Sequence, residues 1–534
     1  MTLNVQAMEE SGCQLLSAEP PLKIQDRQKP GSKAEVFPQF CSISSGVCNG
    51  LMMGLLIGFS SVGFASFNDD PNRPFTLSDS QKGSLGSAQW LGAAIGTSIS
   101  GMASSKLGRI SLIRGSLLPY IVGWLMVRHA SSFGVMYAGR FISGFDLGVV
   151  SVPYGTYLSE TTRSKIRGRA TTVLSAFFTL GALINYTISL FLAWQSMALV
   201  NAAIPLLFLP AMLYSPESPM WLLSQDRVDE ARRSLQRLRG FSTNIQKEFE
   251  EMQDHIRNAE TAKMSWSDIL TNWTYLKPVI LMIPVPFLRH FTGWGIIQSF
   301  TLDIFEDAGL QHVMNPRVGC IILGTGQLTV FFCSGYAMDK LGRKKATIFS
   351  ATLMGLSQLS FALYLYLESK PELKLENKFG FFPLIALLVC MLAYSLGVGS
   401  FYFILLGEVM PQRIRSVATG LISMINTSAG FAAIQSYYSI VAAAGETTAF
   451  GIYGIVCFLL VIYAASIFPE TKGRTLMDLE KQLTESKNLN CMIESVRHGG
   501  PSSPQAENPL VKGRRAPLPG SRENGSVVVS PACS

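Results

Sequence analysis

The sequence predicts an all-α membrane protein whose twelve transmembrane helices form two six-helix halves joined by a cytoplasmic helical linker. Three observations carry that expectation. Only 15% of the 534 residues are charged and 48% are hydrophobic, against roughly 25% charged in a soluble domain, so the chain lacks the groups that a water-facing surface needs. About twelve segments stay apolar for the roughly 20 residues that a helix needs to cross hydrocarbon with its backbone paired internally. Finally, three short motifs recur at matching places in the two halves of the chain.

Residues 1–39 mix acids, bases and proline and lack the apolar core followed by small residues of a cleavable signal, so they are expected as a cytosolic tail. The first half, 40–215, holds spans near 40–65, 82–104, 110–128, 133–158, 169–192 and 197–214. Residues 216–276 follow as the linker, whose stretch QDRVDEARRSLQRLRG sets Leu and Val at helical spacing among charges, as on a surface-lying helix. The second half, 277–468, holds spans near 277–306, 315–338, 345–367, 380–408, 416–442 and 447–468. The tail, 469–534, is rich in Gly, Pro and Ser after residue 498 and is expected to be mostly disordered there.

Lys and Arg gather in alternate loops, at Lys106/Arg109/Arg114, Arg163/Lys165/Arg167/Arg169, Lys340/Arg343/Lys344/Lys345, Arg413/Arg415 and Lys472/Arg474. By the positive-inside rule that side is cytoplasmic, with both termini and the linker. Sequons start at Asn185, Asn272, Asn426 and Asn524; none lies in an outside loop of this topology, so no glycan is expected.

The net charge of +8 is spread in short clusters between apolar runs, a pattern unlike the basic stripe that binds nucleic acid. Nine cysteines include Cys320, Cys333, Cys390 and Cys457 within apolar runs and form no CxxC pair, which argues against metal and redox chemistry. With no Ser-His-Asp set or phosphate-cradling loop, neither an enzyme nor a cofactor is expected. The GTGQ at 324–327 lies within an apolar helix and suits close helix packing.

The repeats are specific. GMASSKLGRI after the second span matches GYAMDKLGRKK after the eighth; SETTRSKIRG after the fourth matches GEVMPQRIRS after the tenth; PESPMWL at 216–222 matches PETKGRTL at 469–476. With GLLIGFSS at 54–61, this set resembles the sugar porter family of the major facilitator superfamily, and within it the insect facilitated trehalose and glucose transporters. The resemblance implies the major facilitator fold, a plasma-membrane location, and facilitative transport of a hexose or trehalose-like sugar by alternating access around a midplane site.

In physical terms, Gly101 and Gly335 are expected to let helices approach closely. The forked cations Arg109, Arg167, Arg343 and Arg415 face the acceptors Glu160, Glu217, Asp339, Glu408 and Glu470 in a proposed intracellular gate that joins the halves and breaks on inward opening. The alternative is surface decoration, where an ion pair contributes about 0–1 kcal/mol; recurrence in both halves favours the gate. Ser105 stands where the second half has Asp339, which predicts a less stable outward-open state. Arg140 joins the gating set as the family's partner of a first-span acid, and that acid is here Ser60. Without a titratable carboxylate, facilitated diffusion is favoured over proton symport.

For substrate, the family pattern QQxSGxNxxxYY becomes RHFTGWGIIQSF, so Arg289 and His290 replace the glutamines, Gly295 the asparagine, and Ser299 and Phe300 the tyrosines. Ser175 stands for the fifth-span glutamine. GSFYF keeps Gly399 and offers Phe401 and Phe403 as aromatic walls, while Gln298, Gln327 and Asn426 supply amides for hydroxyl groups. Arg289 and His290 either contact a more polar or anionic ligand or pair structurally with an acid such as Asp146, and His290 adds a route to pH sensitivity. The competing functions are a non-transporting sugar sensor and a carrier of a different polar or anionic small molecule. The partners expected are one sugar-like solute and the lipid bilayer, with no nucleic acid and a monomeric chain.

Overall fold

The computed structural model describes residues 33–162, 164–240, 243–261, 272–370, 379–410 and 414–467, and these are helical throughout apart from short connections. In chain order, the first helices are α1 (Lys33–Asp69), α2 (Asp79–Leu107), α3 (Arg109–Arg128), α4 (Phe133–Thr161), α5 (Ser164–Ile188), α6 (Trp194–Ala203) and α7 (Leu209–Tyr214). A 3₁₀ turn at Ile204–Phe208 makes α6 and α7 one continuous rod. Three short helices follow: α8 (Pro219–Ser224), α9 (Val228–Arg239) and α10 (Gln246–Thr261). The remainder is α11 (Trp273–Met282), α12 (Pro284–Phe291), α13 (Trp294–Asp307), α14 (Pro316–Leu341), α15 (Arg343–Glu368), α16 (Phe382–Leu396), α17 (Val398–Val409) and α18 (Arg415–Ile467).

Among the described residues, eight helical stretches are long and apolar enough to cross a bilayer. The last, α18, has 53 residues and is broken at Gly445, where φ is +80°; at 1.5 Å per residue it is about 80 Å long, enough for two crossings of a roughly 30 Å core. Large apolar side chains cover the outside, as at Leu207 (78% exposed) and Ile462 (60%), which suits a lipid solvent.

Glycine sets the closest helix contacts. A side chain at Gly92 or Gly96 of α2 would strike the backbone of Phe141 or Phe145, and one at Gly144 or Gly148 of α4 would strike Gln89 or Ala93. These reciprocal small-x-x-x-small faces bring the two backbones into contact, and Ser100 Oγ adds a hydrogen bond to the Val149 carbonyl at 2.7 Å. The expectation for Gly101 is corrected, because it faces open space. The repeated motif instead needs its later glycine: Gly108 and Gly342 turn the chain between α2 and α3 and between α14 and α15 at φ +93° and +90°, a region that residues with a Cβ rarely enter. Gly335 lies outside the described side chains.

The stretch expected as a surface helical linker folds into α8, α9 and α10 around their own small core of Trp221, Leu235, Ile245 and Phe249. It is tied to the bundle by Arg239, which donates to the Thr161 carbonyl at 2.8 Å and pairs with Glu248 at 2.7 Å. Residues 1–32 and 468–534 lie outside the described residues, and with them the expected C-terminal tail and most of the N-terminal one; the boundary at residue 39 is corrected, because residues 33–39 already open α1.

Candidate functional site

The segment expected as one seventh span, 277–306, is three helices. Pro284 opens α12, since proline suits a first helical turn and breaks an interior one. After Phe291 the chain turns through Gly293 at φ +78° into α13, which is itself kinked at Phe300 (φ −132°, ψ 24°). The tenth-span stretch breaks likewise at Gly397 between α16 and α17. Interrupted helices free backbone and polar groups at membrane depth, and this is tolerated where they line a protein-enclosed site.

Both breaks meet at Arg289. Its side chain is buried (6% exposed); Nη2 donates to Tyr394 Oη at 2.6 Å and Nη1 to Asn426 Oδ1 at 3.4 Å. The guanidinium lies 4.8 Å from the Trp294 ring and 5.6–5.7 Å from those of Tyr394, Tyr402 and Phe403, within cation–π range. Trp294 and Tyr394 stack at 4.7 Å. His290 Nε2 is 3.2 Å from Asn426 Oδ1, and its ring lies edge-on to Trp90 of α2 at 5.1 Å. Arg289, His290, Asn426 and Phe403, all named from sequence, are thus one cluster. Trp90, Trp294, Tyr394 and Tyr402 were not named; they arrive from other helices, and their only sequence signal is aromatic character. The suggested pairing with Asp146 is corrected: that carboxyl is buried beside Ser116 of α3, and among the described residues no carboxylate pairs with Arg289.

On α13 and α14 lie three more named residues. Gln298, Ser299 and Gln327 are each at most 1% exposed, and none of their side-chain polar atoms has a hydrogen-bond partner among the described residues. Tyr186 of α5 donates to the Gln298 carbonyl at 3.1 Å and also packs beside Gly324, three residues before Gln327. Buried amides are nearly always paired, and an unpaired one costs about 1–3 kcal/mol. Gly295 opens toward Ile434, Gly399 packs on Tyr394, and Phe401 is buried. Ser175 lies outside the described side chains.

Arg140, expected in an ion pair, is instead bound to neutral groups. It is fully buried and donates to the Leu56 carbonyl at 2.9 Å, to Gln89 Oε1 at 2.5 Å and to Ser60 Oγ. The hydroxyl of Ser60 thus supplies an acceptor without a charge.

At one end of the bundle, segments from before and after the linker meet. Arg317 pairs with Asp69 at 2.8 Å and donates to the Ser189 carbonyl at 3.0 Å; Lys82 lies 3.8 Å from Asp303; and Leu302 N donates to Ser61 Oγ at 3.1 Å. At the other end, Glu217 accepts from the backbone N–H groups of Arg109, Ile110 and Ser111 at 2.9–3.3 Å. It therefore caps α3 as a carboxylate at a helix N-terminus. Glu160 accepts from Ser218 and lies 3.4 Å from Arg109 Nε. These described contacts lie within the first six-span segment and its PESPMWL end. Arg343 opens α15, whereas Arg167, Asp339, Glu408, Arg415 and Glu470 lie outside the described side chains.

Comparison with known proteins agrees with this architecture. The family model "Sugar (and other) transporter" matches residues 40–483. A facilitated trehalose transporter (Tret1) of Apis mellifera ligustica is 30% identical over 448 residues, covering 84% of this chain and 88% of that protein. One from Culex quinquefasciatus is 28% identical over 460 residues, covering 85% and 87%. Among solved structures, the proton:xylose symporter XylE bound to 6-bromo-6-deoxy-D-glucose superposes with a TM-score of 0.67 at 20% identity over 84% of this chain and 99% of that one. A partially occluded inward-open form of XylE from E. coli gives 0.68 at 19% identity, covering 83% and 100%. The chain is a multi-pass membrane protein of the sugar (and other) transporter family.

Proposed function

We propose that the protein is a facilitative carrier of a hexose or trehalose-like sugar, working by alternating access between two six-helix halves of a twelve-span bundle. The observation that carries this is the set of buried, unpaired amides Gln298 and Gln327 with the Ser299 hydroxyl, beside two interrupted helices. A neutral polyol supplies the donors and acceptors that such groups lack. The named substrate of the insect relatives points the same way.

The linkage of Asp69 to Arg317 and of Lys82 to Asp303 closes the outer end in this reading. The Arg109, Glu160 and Glu217 cluster, with Arg167 of the same half and the second-half residues Asp339, Arg343, Glu408, Arg415 and Glu470, forms the inner gate. Ser175, Gly295, Gly399, Phe401, Phe403 and Asn426 complete the pocket. Basic loops orient the termini and the linker toward the cytosol, and the location is the plasma membrane. Ser60 beside Arg140 leaves no carboxylate to carry a proton at that position, so transport is passive.

Uptake of radiolabelled glucose and trehalose into vesicles holding the purified protein tests the proposal. Saturable entry that is indifferent to a proton gradient is expected. Entry that depends on the gradient contradicts the passive mechanism, and no saturable entry of either sugar by folded protein contradicts the choice of a neutral hexose or trehalose-like substrate.

A further inference from the structure

Arg289 is a buried cation for which no described acid accounts. A guanidinium is charged at every relevant pH, and a buried charge without a partner is strongly unfavourable, so such groups are paired or face a cavity. Here the groups within reach are neutral or aromatic nitrogen: the Tyr394 phenol at 2.6 Å, a long contact to Asn426 at 3.4 Å and His290 Nε2 at 3.5 Å. Nε has no acceptor, and among the described residues no carboxylate pairs with the side chain. Four aromatic faces surround the cation. They stabilise it partly but cannot neutralise it. Among the described residues the site therefore carries one positive charge without a paired acid, with the Nε–H of its planar fork unengaged, at the helix break.

We infer that the transported sugar bears one carboxylate, for which Arg289 is the built-in counter-ion. The inference rests on the carrier reading above and replaces its neutral sugar with an acidic one as the preferred substrate. A carboxylate matches the guanidinium fork in a two-point contact. Its single charge balances the single cation, whereas a phosphate ester, close to doubly charged, would leave excess negative charge in a buried site. The remaining hydroxyls of the sugar fall to the amide groups, and the rings of Trp294, Tyr394 and Phe403 offer apolar faces.

D-glucuronate and D-glucose differ only at C6, so they isolate the carboxylate. The test is counterflow of each labelled compound in vesicles containing the full chain, together with the thermal shift that each gives the purified protein. Exchange of one monoanion for another moves no net charge, so membrane potential does not confound it. The expected result is that glucuronate exchanges and stabilises at concentrations at least tenfold below those needed for glucose. Arg289→Gln should lose at least tenfold of that preference, and Arg289→Lys, which keeps the charge without the fork, should fall between. Because the charge lacks a compensating acid, the unliganded Arg289→Gln protein should melt no lower than the parent.

Glucose exchange with neither exchange nor stabilisation by glucuronate overturns the inference and leaves the sugar carrier intact. Stabilisation by glucuronate that Arg289→Gln abolishes, without flux of either compound, supports the anion site and overturns the carrier reading. No response to either compound by folded protein overturns both. If Arg289→Gln melts far below the parent, the Arg289→Lys protein decides: a glucuronate preference kept or only partly reduced there supports pairing with the charge, and a preference lost entirely while glucose exchange persists overturns the inference.

Discussion

Replacing Gly144 with leucine is expected to abolish recovery of folded protein. The position faces the backbone of Gln89 so closely that even a Cβ would overlap its carbonyl. A flexible side chain can swing aside, but the backbone of a transmembrane helix cannot move without separating its whole face from its neighbour. Overpacking a core costs typically about 1–3 kcal/mol, and here relief would also separate Gly148 from Ala93, Gly92 from Phe141 and Gly96 from Phe145. We expect a loss above about 4 kcal/mol, the range of core overpacking without escape. Gly115→Leu is the control, because a Cβ there meets nothing within 4 Å. A monodisperse size-exclusion peak from Gly115→Leu and none from Gly144→Leu is the expected outcome. A parental peak from Gly144→Leu would show that the α2–α4 contact is not a constraint.

The second large effect separates function from stability. In the double variant Gln298→Leu/Gln327→Leu, two buried amides without partners give way to apolar side chains of similar size. Each replacement removes an unpaired buried group that costs about 1–3 kcal/mol, so the unliganded protein should melt at a higher temperature. The same change deletes the hydroxyl-binding groups, and sugar uptake at low concentration should fall roughly 30- to 150-fold, given about 1–1.5 kcal/mol for the hydrogen bond lost at each of the two amides. Stability gained with transport lost marks a ligand site, where unsatisfied groups are retained for function. Parental uptake, or a lower melting temperature, contradicts that assignment.

Hydropathy and the repeated motifs made the span positions legible. The stretch near 110–128 is α3 (Arg109–Arg128) and that near 345–367 is α15 (Arg343–Glu368), since apolar length is what a bilayer selects. Interruptions were not legible in the same way, because hydropathy averages over them. The segment at 277–306 is apolar throughout, yet Pro284 and Gly293 divide it, and only proline spacing and glycine hinted at that. The doubled LGR turn was recognised as a motif, but its need for glycine at Gly108 and Gly342 is a backbone property seen only in φ. Arg289, His290 and Asn426 were nameable because they sit at positions matching a family pattern. Trp90 and Tyr394 were not, since their approach depends on how α2 and α16 pack around the break. Arg140 illustrates a mixed case: Ser60 in place of its acid was legible from the family pattern, whereas Gln89 and the Leu56 carbonyl are supplied by tertiary structure.

Alternating access requires the end joined by Asp69 and Arg317, 2.8 Å apart, to separate in every cycle. The most direct measurement is sugar counterflow by an Asp69→Cys/Arg317→Cys protein, oxidised to a disulfide and then reduced. The described native cysteines, Cys41, Cys48, Cys320, Cys390 and Cys457, are buried and so poorly placed to compete for the oxidant. Exchange that stops on oxidation and returns on reduction is the predicted result. Undiminished exchange with the crosslink verified as complete would contradict the account.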